Sequence, residues 1–360
     1  MEKKKAWIAM SGGVDSSVAA WLMQREGYDC AGVSMRLYRN TDIGLACHKS
    51  CCTQEDMDDA ADAAFTLGIP HEILDLQSLF RERVIRPFVR SYVSGETPDP
   101  CINCNRHMKF DYLLEEALRQ GVDCLATGHY ARIERDGGGR FLLKKALDES
   151  KDQSYVLYML RQEQLAHLRF PLGELQKSEV RQIAAQLGLG NARKRESQDI
   201  CFVPDGDYGA FLERQLGRPL PPGPILDREG RVLSRHRGAA RYTIGQRRGI
   251  GVATGERIYV TGKDMEHNTV TVGPESALYR RELIATGVNC IALEKIDSPT
   301  RVTARTRYHQ PERPATAYPL EDGRLRICFD APQRAMTPGQ AVVLYDGDLV
   351  LAGGTIREVL

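Results

Sequence analysis

Over its first half the chain alternates short apolar runs with longer stretches whose apolar residues recur at helical spacing. The run Ala6-Trp7-Ile8 reads as a strand and turns directly into Val18-Ala19-Ala20-Trp21-Leu22-Met23, which reads as a helix. The pattern then predicts strand at 31–37, helix at 55–67, strand at 71–74, helix at 79–93, strand at 124–126 and helix at 177–187. This rhythm predicts an α/β domain with a parallel sheet covered by helices, and ligands at the carboxyl ends of its strands. A short helix is expected at 207–216, and from about Gly223 the pattern changes. Strand-like runs at 257–262, 269–273, 282–291, 301–308, 324–329 and 341–344 are separated by Gly, Pro and Asp turns, with Asp322-Gly323 and Asp346-Gly347 as hairpin signals. These runs predict two small β-rich domains joined near residue 278. The chain shows no internal repeat and no low-complexity tract.

At 360 residues the chain is long enough for two or three domains, and 42% hydrophobic with 27% charged residues is the composition of a soluble globular protein. A net charge of +1 excludes a uniformly basic nucleic-acid binder, so any nucleic acid must meet a local patch. One such stretch runs from Arg228 to Arg248, with seven arginines and one acidic residue, Glu229; a solvated charged face is the plain alternative. The apolar run after Met-Glu-Lys-Lys-Lys is too short for a signal peptide, and no stretch is long enough to span a membrane. A cytoplasmic protein without a membrane partner is expected. Its ten cysteines then read as thiols, metal ligands or redox groups rather than a disulfide framework.

Three segments carry candidate chemistry. Residues 9–17, Ala-Met-Ser-Gly-Gly-Val-Asp-Ser-Ser, link the first strand to the first helix. Gly12 and Gly13 permit positive φ and close approach to an anion. Ser11, Ser16 and Ser17 add hydroxyls, and a helix N-terminus favours negative charge. The loop has neither the Gly-Lys-Ser/Thr ending of a P-loop nor the glycine spacing of a dinucleotide-binding turn. The second segment, Thr97-Pro98-Asp99-Pro100-Cys101-Ile102-Asn103-Cys104-Asn105-Arg106, has prolines that rigidify the approach to two thiols at an expected helix start, where a thiolate is stabilised. Taken alone, its Cys-x-x-Cys is half a zinc site, a redox pair or an accident. The third, Ser197-Gln198-Asp199-Ile200-Cys201-Phe202, is a polar loop with a lone cysteine. Cys47, Cys51 and Cys52 fit no motif and read as loop thiols ahead of a metal or redox cluster.

Ser-Gly-Gly-Val-Asp-Ser resembles the pyrophosphate loop of the N-type ATP pyrophosphatases. With Cys104-Asn105-x-x-x-Lys109-Phe110, the segment 126–132, Lys151-Asp152-Gln153-Ser154-Tyr155, Ser-Gln-Asp-Ile-Cys201-Phe and Tyr242-Thr-Ile-Gly-Gln-Arg247-Arg248-Gly, it resembles in order the tRNA-specific 2-thiouridylases. The resemblance runs from about residue 5 to Gly354. It implies an ATP pyrophosphatase domain at 1–206, a central β-rich tRNA-binding domain at 207–277 and a C-terminal β-barrel at 278–360. It implies that the C2 oxygen of the wobble uridine is adenylated with ATP and Mg²⁺ and then replaced by sulfur. Adenylation turns a poor leaving group into AMP.

By the same resemblance Ala9, Met10, Met35 and Gly128 meet adenosine, while Ser11, Gly12, Gly13, Val14, Asp15, Ser16 and Ser17 surround phosphates or Mg²⁺. Cys201 carries a persulfide received from a sulfur-relay protein or cysteine desulfurase, and Cys104 resolves it, leaving a disulfide for reduction. Lowered thiol pKa values are expected from a helix terminus, Arg106 or Lys109. The tRNA contacts implied are Asp99, Pro100, Cys101, His129, Lys151, Asp152, Gln153, Arg247, Arg248, Arg307, Tyr308 and Gln340. Some members have Asp where this chain has Cys101 and Asn where it has Asp99, leaving Asp99 as the candidate replacement carboxylate. A [4Fe–4S] cluster held by Cys101, Cys104 and Cys201 is the alternative sulfur carrier, ranked behind the persulfide. Other function classes use only part of this inventory. A synthetase or amidotransferase needs the loop without the thiols, and an RNA-binding module needs the basic β domains without the loop.

Overall fold

Ala6, Trp7 and Ile8 are all buried, as a strand permits only where both faces of its sheet are covered. They belong to β1 (Lys5–Ala9), followed by β2 (Asp29–Arg36), β3 (His71–Asp75), β4 (Cys124–Thr127), β5 (Ala131–Arg135), β6 (Phe141–Lys145) and β7 (Leu168–Arg169). The computed structural model describes residues 3–39, 43, 52–194, 200–253 and 255–360. By compactness the chain divides into one unit of Met1–Ile85, Cys101–Phe202 and Gly347–Leu351, and another of Arg86–Pro100, Val203–Asp346 and Ala352–Leu360.

In the first unit the sheet order is β3-β2-β1-β4-β7, with every pairing parallel. The order reverses beside β1, so the loops after β1 and β4 flank the crevice where such sheets bind ligands. Helices α1 (Val14–Arg25) and α2 (Cys52–Leu67) pack with β1 in one core. Val14, Val18, Ala19 and Met23 bury one face of α1, and alanines at 60, 63 and 64 allow α2 close approach. Cys30 and Cys124 both pair with Ala6, one on each side of β1; burial pushes each thiol up to about 11, which makes them inert core residues. The hairpin β5–β6 was absent from the sequence expectation, as was the two-residue β7.

Two helices depart from simple α geometry. The expected helix at 79–93 is found as Gln77–Phe80, a π-helical turn Arg81–Ile85, and Arg86–Val93. A second π-helical stretch, Asn105–Leu113, lies between the α-helical segments Pro100–Cys104 and Leu114–Arg119. A helix therefore does start at the Cys-x-x-Cys segment.

The second unit carries the helix Tyr208–Leu216, capped by Asp207 Oδ1, which accepts the Ala210 N–H at 2.8 Å, and ended by Gly217 at φ +65. Asp207→Ala removes a cap of about 1 kcal/mol. Next come β8 (Gly223–Leu226), β9 (Val232–His236), β10 (Tyr259–Asp264) and β11 (Thr269–Gly273), in the order β10-β11-β8-β9 around Ile225, Val260, Val270 and Val272. The last strands are β12 (Tyr279–Cys290), β13 (Thr300–Arg305), β14 (Arg313–Pro319), β15 (Leu325–Arg334), β16 (Ala341–Asp346) and β17 (Leu349–Val359). They run β12-β15-β14-β13-β16-β17, and β12 pairs back onto β17 to close a six-stranded barrel. Strand β14 escaped the sequence pattern because its inward residues are only Ala315 and Ala317, between Pro314 and Pro319. Among the described residues no helix is long and apolar enough to cross a membrane.

Candidate active site

The carboxyl edge of the parallel sheet gathers most of the candidate residues in the first unit. Ala9 ends β1, Met35 lies near the end of β2, and Gly128 follows β4. The backbone of Met10 is used internally: its N–H donates to Val33 O, and its carbonyl accepts from Ser34 Oγ at 2.8 Å. Between β1 and α1 the chain turns through Gly12 at φ +73, and a Cβ there would fall 2.1 Å from Asp56 O. Only glycine tolerates both conditions. Gly128 abuts the first turn of α1, since a Cβ would stand 2.8 Å from Ser16 N.

The loop is held from within. Ser16 and Ser17 are buried and donate from Oγ to Gly13 O at 3.0 and 3.2 Å, so of the three hydroxyls only that of Ser11 belongs to an exposed residue. Asn191 Nδ2 donates to Gly12 O and Ser17 Oγ, both at 3.0 Å. No side chain caps α1 at Gly13, which leaves its first amides to complement an anion.

Asp15, in the first turn of α1 beside Val14, is the carboxylate of the loop. Both its oxygens lie 2.7 Å from Lys177 Nζ, and Tyr130 Oη donates to Oδ1 at 2.8 Å. Sequence reading gave Lys177 and Tyr130 no role of their own. The one signal for Lys177 in the sequence is its place at the start of the helix Lys177–Gln186, an end where a helix dipole disfavours a cation; its burial emerges only in the fold. Asn191, in the short turn Gly190–Arg193, had no such signal.

The thiols lie in the same unit. Cys104 is half-buried and ends the α-helical segment Pro100–Cys104; Cys201 is held through its carbonyl, which accepts from Tyr38 Oη at 2.8 Å. Tyr38 packs on Phe80 and Phe80 on Phe202, at 5.9 and 5.6 Å between ring centroids. Burial pushes the Cys104 thiol up, against Lys109. Cys201 is exposed as a residue, yet desolvation around its sulfur and then the charge of Cys104 push it up to about 12, opposed by Tyr38 and Lys109. The expected low thiol pKa values are therefore not found, because desolvation outweighs the helix start and the nearby cation. Among the described residues no group of three or more His, Cys, Asp or Glu side chains is arranged to hold a metal ion; Cys101 is exposed and Cys104 half-buried. Ser197, Gln198 and Asp199 lie outside the described residues, as do Cys47, Cys51 and the side chain of Cys52.

His129 is buried. Its Nδ1 is 2.6 Å from Thr127 Oγ1 and its Nε2 is 3.3 Å from Lys109 Nζ. An ammonium has only donors, so Nε2 accepts and Nδ1 carries the proton that Thr127 receives. Burial and then Lys109 hold its pKa well below the ordinary value, keeping the ring neutral. Asp152 is buried and accepts from Ala146 N, Ser154 N and Ser154 Oγ; Gln153 and Tyr130 exchange hydrogen bonds at 2.8 and 3.0 Å. Both brace the loop after β4, while Lys151 is half-buried.

In the second unit, Arg247 and Arg248 are exposed on a loop that turns at Gly245 and Gly249. Of the seven arginines at 228–248, Arg231 is paired with Asp227 and Glu229, and Arg241 with Asp207 and Glu213; the other five form no ion pair among the described residues. Arg307 points inward. Its Nη2 donates to Ile244 O, Ala335 O and Thr337 Oγ1 at 3.2, 3.1 and 2.9 Å, which braces the arginine loop. Tyr308 packs on His309. Gln340 Nε2 donates to Thr97 O at 2.8 Å, anchoring the stretch that leads through half-buried Asp99 to Pro100.

The comparisons agree along the whole chain. Family models described as the tRNA methyl transferase HUP domain, the tRNA methyl transferase PRC-barrel domain and the aminomethyltransferase beta-barrel domain match residues 4–205, 209–274 and 280–356. The tRNA-specific 2-thiouridylase MnmA of Moorella thermoacetica is 50% identical over 353 residues, covering 98% of this chain and 99% of its own. That of Acetivibrio thermocellus is 47% identical over 359 residues, covering 99% and 100%. With end-to-end identity at this level, the chain belongs to the tRNA-specific 2-thiouridylase family.

Proposed function

We propose that the protein replaces the C2 oxygen of the wobble uridine of tRNA with sulfur, using ATP to activate that oxygen and a persulfide on Cys201 to deliver the sulfur. The observation that carries this reading is the presence, in one compact unit, of an uncapped helix start at the sheet's switch point and the two thiols Cys104 and Cys201. A synthetase has no use for the second feature.

The uridine C2 oxygen attacks the α-phosphorus of ATP; its bond to phosphorus forms as the bond to pyrophosphate breaks. The amides at 13–16 and Lys177 face the triphosphate. Asp15 is the carboxylate that would hold Mg²⁺, which would neutralise phosphate charge when bound. Lys177, now on Asp15, would then be released toward phosphate, filling the role of the lysine that the loop lacks. The terminal persulfide sulfur on Cys201 attacks C2, and AMP leaves with the former C2 oxygen. Cys104 thiolate attacks the sulfur of Cys201; the S–S bond to the transferred sulfur breaks, its electron pair completes the thiocarbonyl, and a Cys104–Cys201 disulfide remains. A thiol reductant restores both cysteines. These steps use Cys104 and Cys201 as thiol and persulfide, and none of them requires an iron–sulfur cluster.

Binding of tRNA falls to the unpaired arginines of the second unit. Reversing Arg247 and Arg248 to Glu is expected to weaken tRNA affinity and flatten its log–log salt dependence by about two, since each phosphate contact releases roughly 0.9 counterion. Filter binding at several salt concentrations reads this, and an unchanged slope rejects the surface. The reaction itself is tested by pyrophosphate release, which should require tRNA with an unmodified wobble uridine. Equal release with tRNA already thiolated at that position contradicts the proposal.

A further inference from the structure

The peptide between Gly12 and Gly13 is held at one end only. Asn191 Nδ2 donates to Gly12 O at 3.0 Å, and among the described residues no other donor reaches that carbonyl. The peptide is trans, so its N–H points away from its C=O. With Gly12 O turned in toward buried Asn191, the Gly13 N–H is turned outward, and no acceptor among the described residues takes it. Glycine on both sides makes that orientation easy to lose. Rotating the peptide by half a turn leaves Gly12 at φ +73 and carries Gly13 from φ −85 to positive φ, which glycine enters freely and other residues do not.

Asn191 sits there at a cost. Its Oδ1 is buried without a hydrogen-bond partner among the described residues, so an apolar side chain of similar size would be less destabilising. Its Nδ2 also donates to Ser17 Oγ at 3.0 Å, and Ser17 Oγ donates in turn to Gly13 O at 3.2 Å. Leu189 and Ala192, on either side of Asn191, pack into the core that holds α1, which anchors the turn. We propose that Asn191 is a positioning residue for ATP: it locks the Gly12–Gly13 peptide with its N–H facing the phosphates. Without it the peptide turns over and presents a carbonyl oxygen to the anion, which removes a donor and adds a repelling dipole. Ser16 and Ser17 do not supply this lock, since their hydroxyls hold Gly13 O and not Gly12 O. The inference rests on the proposed ATP site and adds the device that keeps it receptive to an anion.

The test is calorimetric binding of Mg²⁺–pyrophosphate to the full chain, without tRNA. Asn191→Ala is expected to weaken binding about tenfold or more, the worth of one hydrogen bond to a charged group. Gly13→Ala supplies a reading that packing alone would not move. A Cβ fits there, with Ser11 Oγ as its nearest neighbour at 3.4 Å, and it bars the residue from positive φ. In that background the peptide cannot turn over, so Asn191→Ala should cost less than about threefold. Equal losses in both backgrounds, or no loss in a folded Asn191→Ala protein, overturn the proposal. Thermal melts accompany each variant; should Asn191→Ala fail to fold, Asn191→Leu, which keeps the volume and removes the orphaned oxygen, takes its place. Should Gly13→Ala bind too weakly to titrate, hydrogen exchange of residues 10–17 at saturating pyrophosphate decides. The parent should then protect one amide more than the Asn191 variant, and equal protection overturns the proposal. A parent that binds neither pyrophosphate nor ATP overturns it together with the ATP site. A parent that shows the expected losses but thiolates no tRNA leaves this inference standing and removes the proposed function.

Discussion

Asp15→Ala is expected to reduce tRNA-dependent pyrophosphate release by roughly 10²–10³-fold, the scale of losing one preorganised charge partner in a transition state. The structural argument is that Asp15 is the carboxylate in the first turn of α1 and already holds Lys177 through both of its oxygens. Removing it takes from the buried ammonium of Lys177 the carboxylate with which it is paired. Part of the loss in Asp15→Ala will therefore be stability, because an enclosed cation without its partner costs a few kcal/mol. Asp15→Asn separates the two effects. It keeps the shape and a hydrogen-bond acceptor for Tyr130, so its melting temperature should fall less than that of the alanine variant, while pyrophosphate release should fall almost as far. Normal turnover in Asp15→Asn would show that this loop is not the ATP site.

Replacing either Cys104 or Cys201 by Ser is expected to abolish thiolation, a drop of more than about 10³-fold, because each takes part in a covalent step that a hydroxyl cannot perform. The two variants should fail differently. Cys201→Ser should still release pyrophosphate but should not gain a sulfur atom from a persulfide donor. Cys104→Ser should gain that sulfur on the peptide containing Cys201 and retain it. Cys101→Ala should remain active, because no step of the persulfide route uses Cys101. Peptide mass spectrometry after donor loading distinguishes all three. Sulfur accumulating on Cys104, or full dependence on Cys101 and iron, would overturn the persulfide assignment.

The parallel sheet was legible because β1 and β4 are buried on both faces and carry short apolar runs, Ala6-Trp7-Ile8 and Cys124-Leu125-Ala126, between turn residues. Strand β14 was not, since a barrel interior lined by Ala315 and Ala317 leaves no hydrophobic signal. The glycines of the loop were readable for the same reason they are needed: positive φ at Gly12 and a backbone contact that excludes a Cβ. What could not be read was long-range pairing. Lys177 meets Asp15 across 162 positions and Tyr38 meets the carbonyl of Cys201 across 163. Composition and spacing carry no trace of such partners. Thiol acidity was misjudged because charge neighbours and helix ends are visible in a sequence, while desolvation depends on what folds around the sulfur. The π-helical register at Asn105–Leu113 was equally hidden.

The central claim is that one chain couples ATP cleavage to sulfur insertion at a tRNA uridine. It is tested most directly by incubating purified protein with unmodified tRNA, ATP, Mg²⁺, a persulfide donor and a thiol reductant, then digesting the tRNA and measuring its nucleosides by mass spectrometry. The account predicts 2-thiouridine at the wobble position, formed one for one with pyrophosphate and absent when ATP is omitted or Cys201 is Ser. Pyrophosphate release without any thionucleoside, or sulfur insertion that proceeds without ATP, would contradict it.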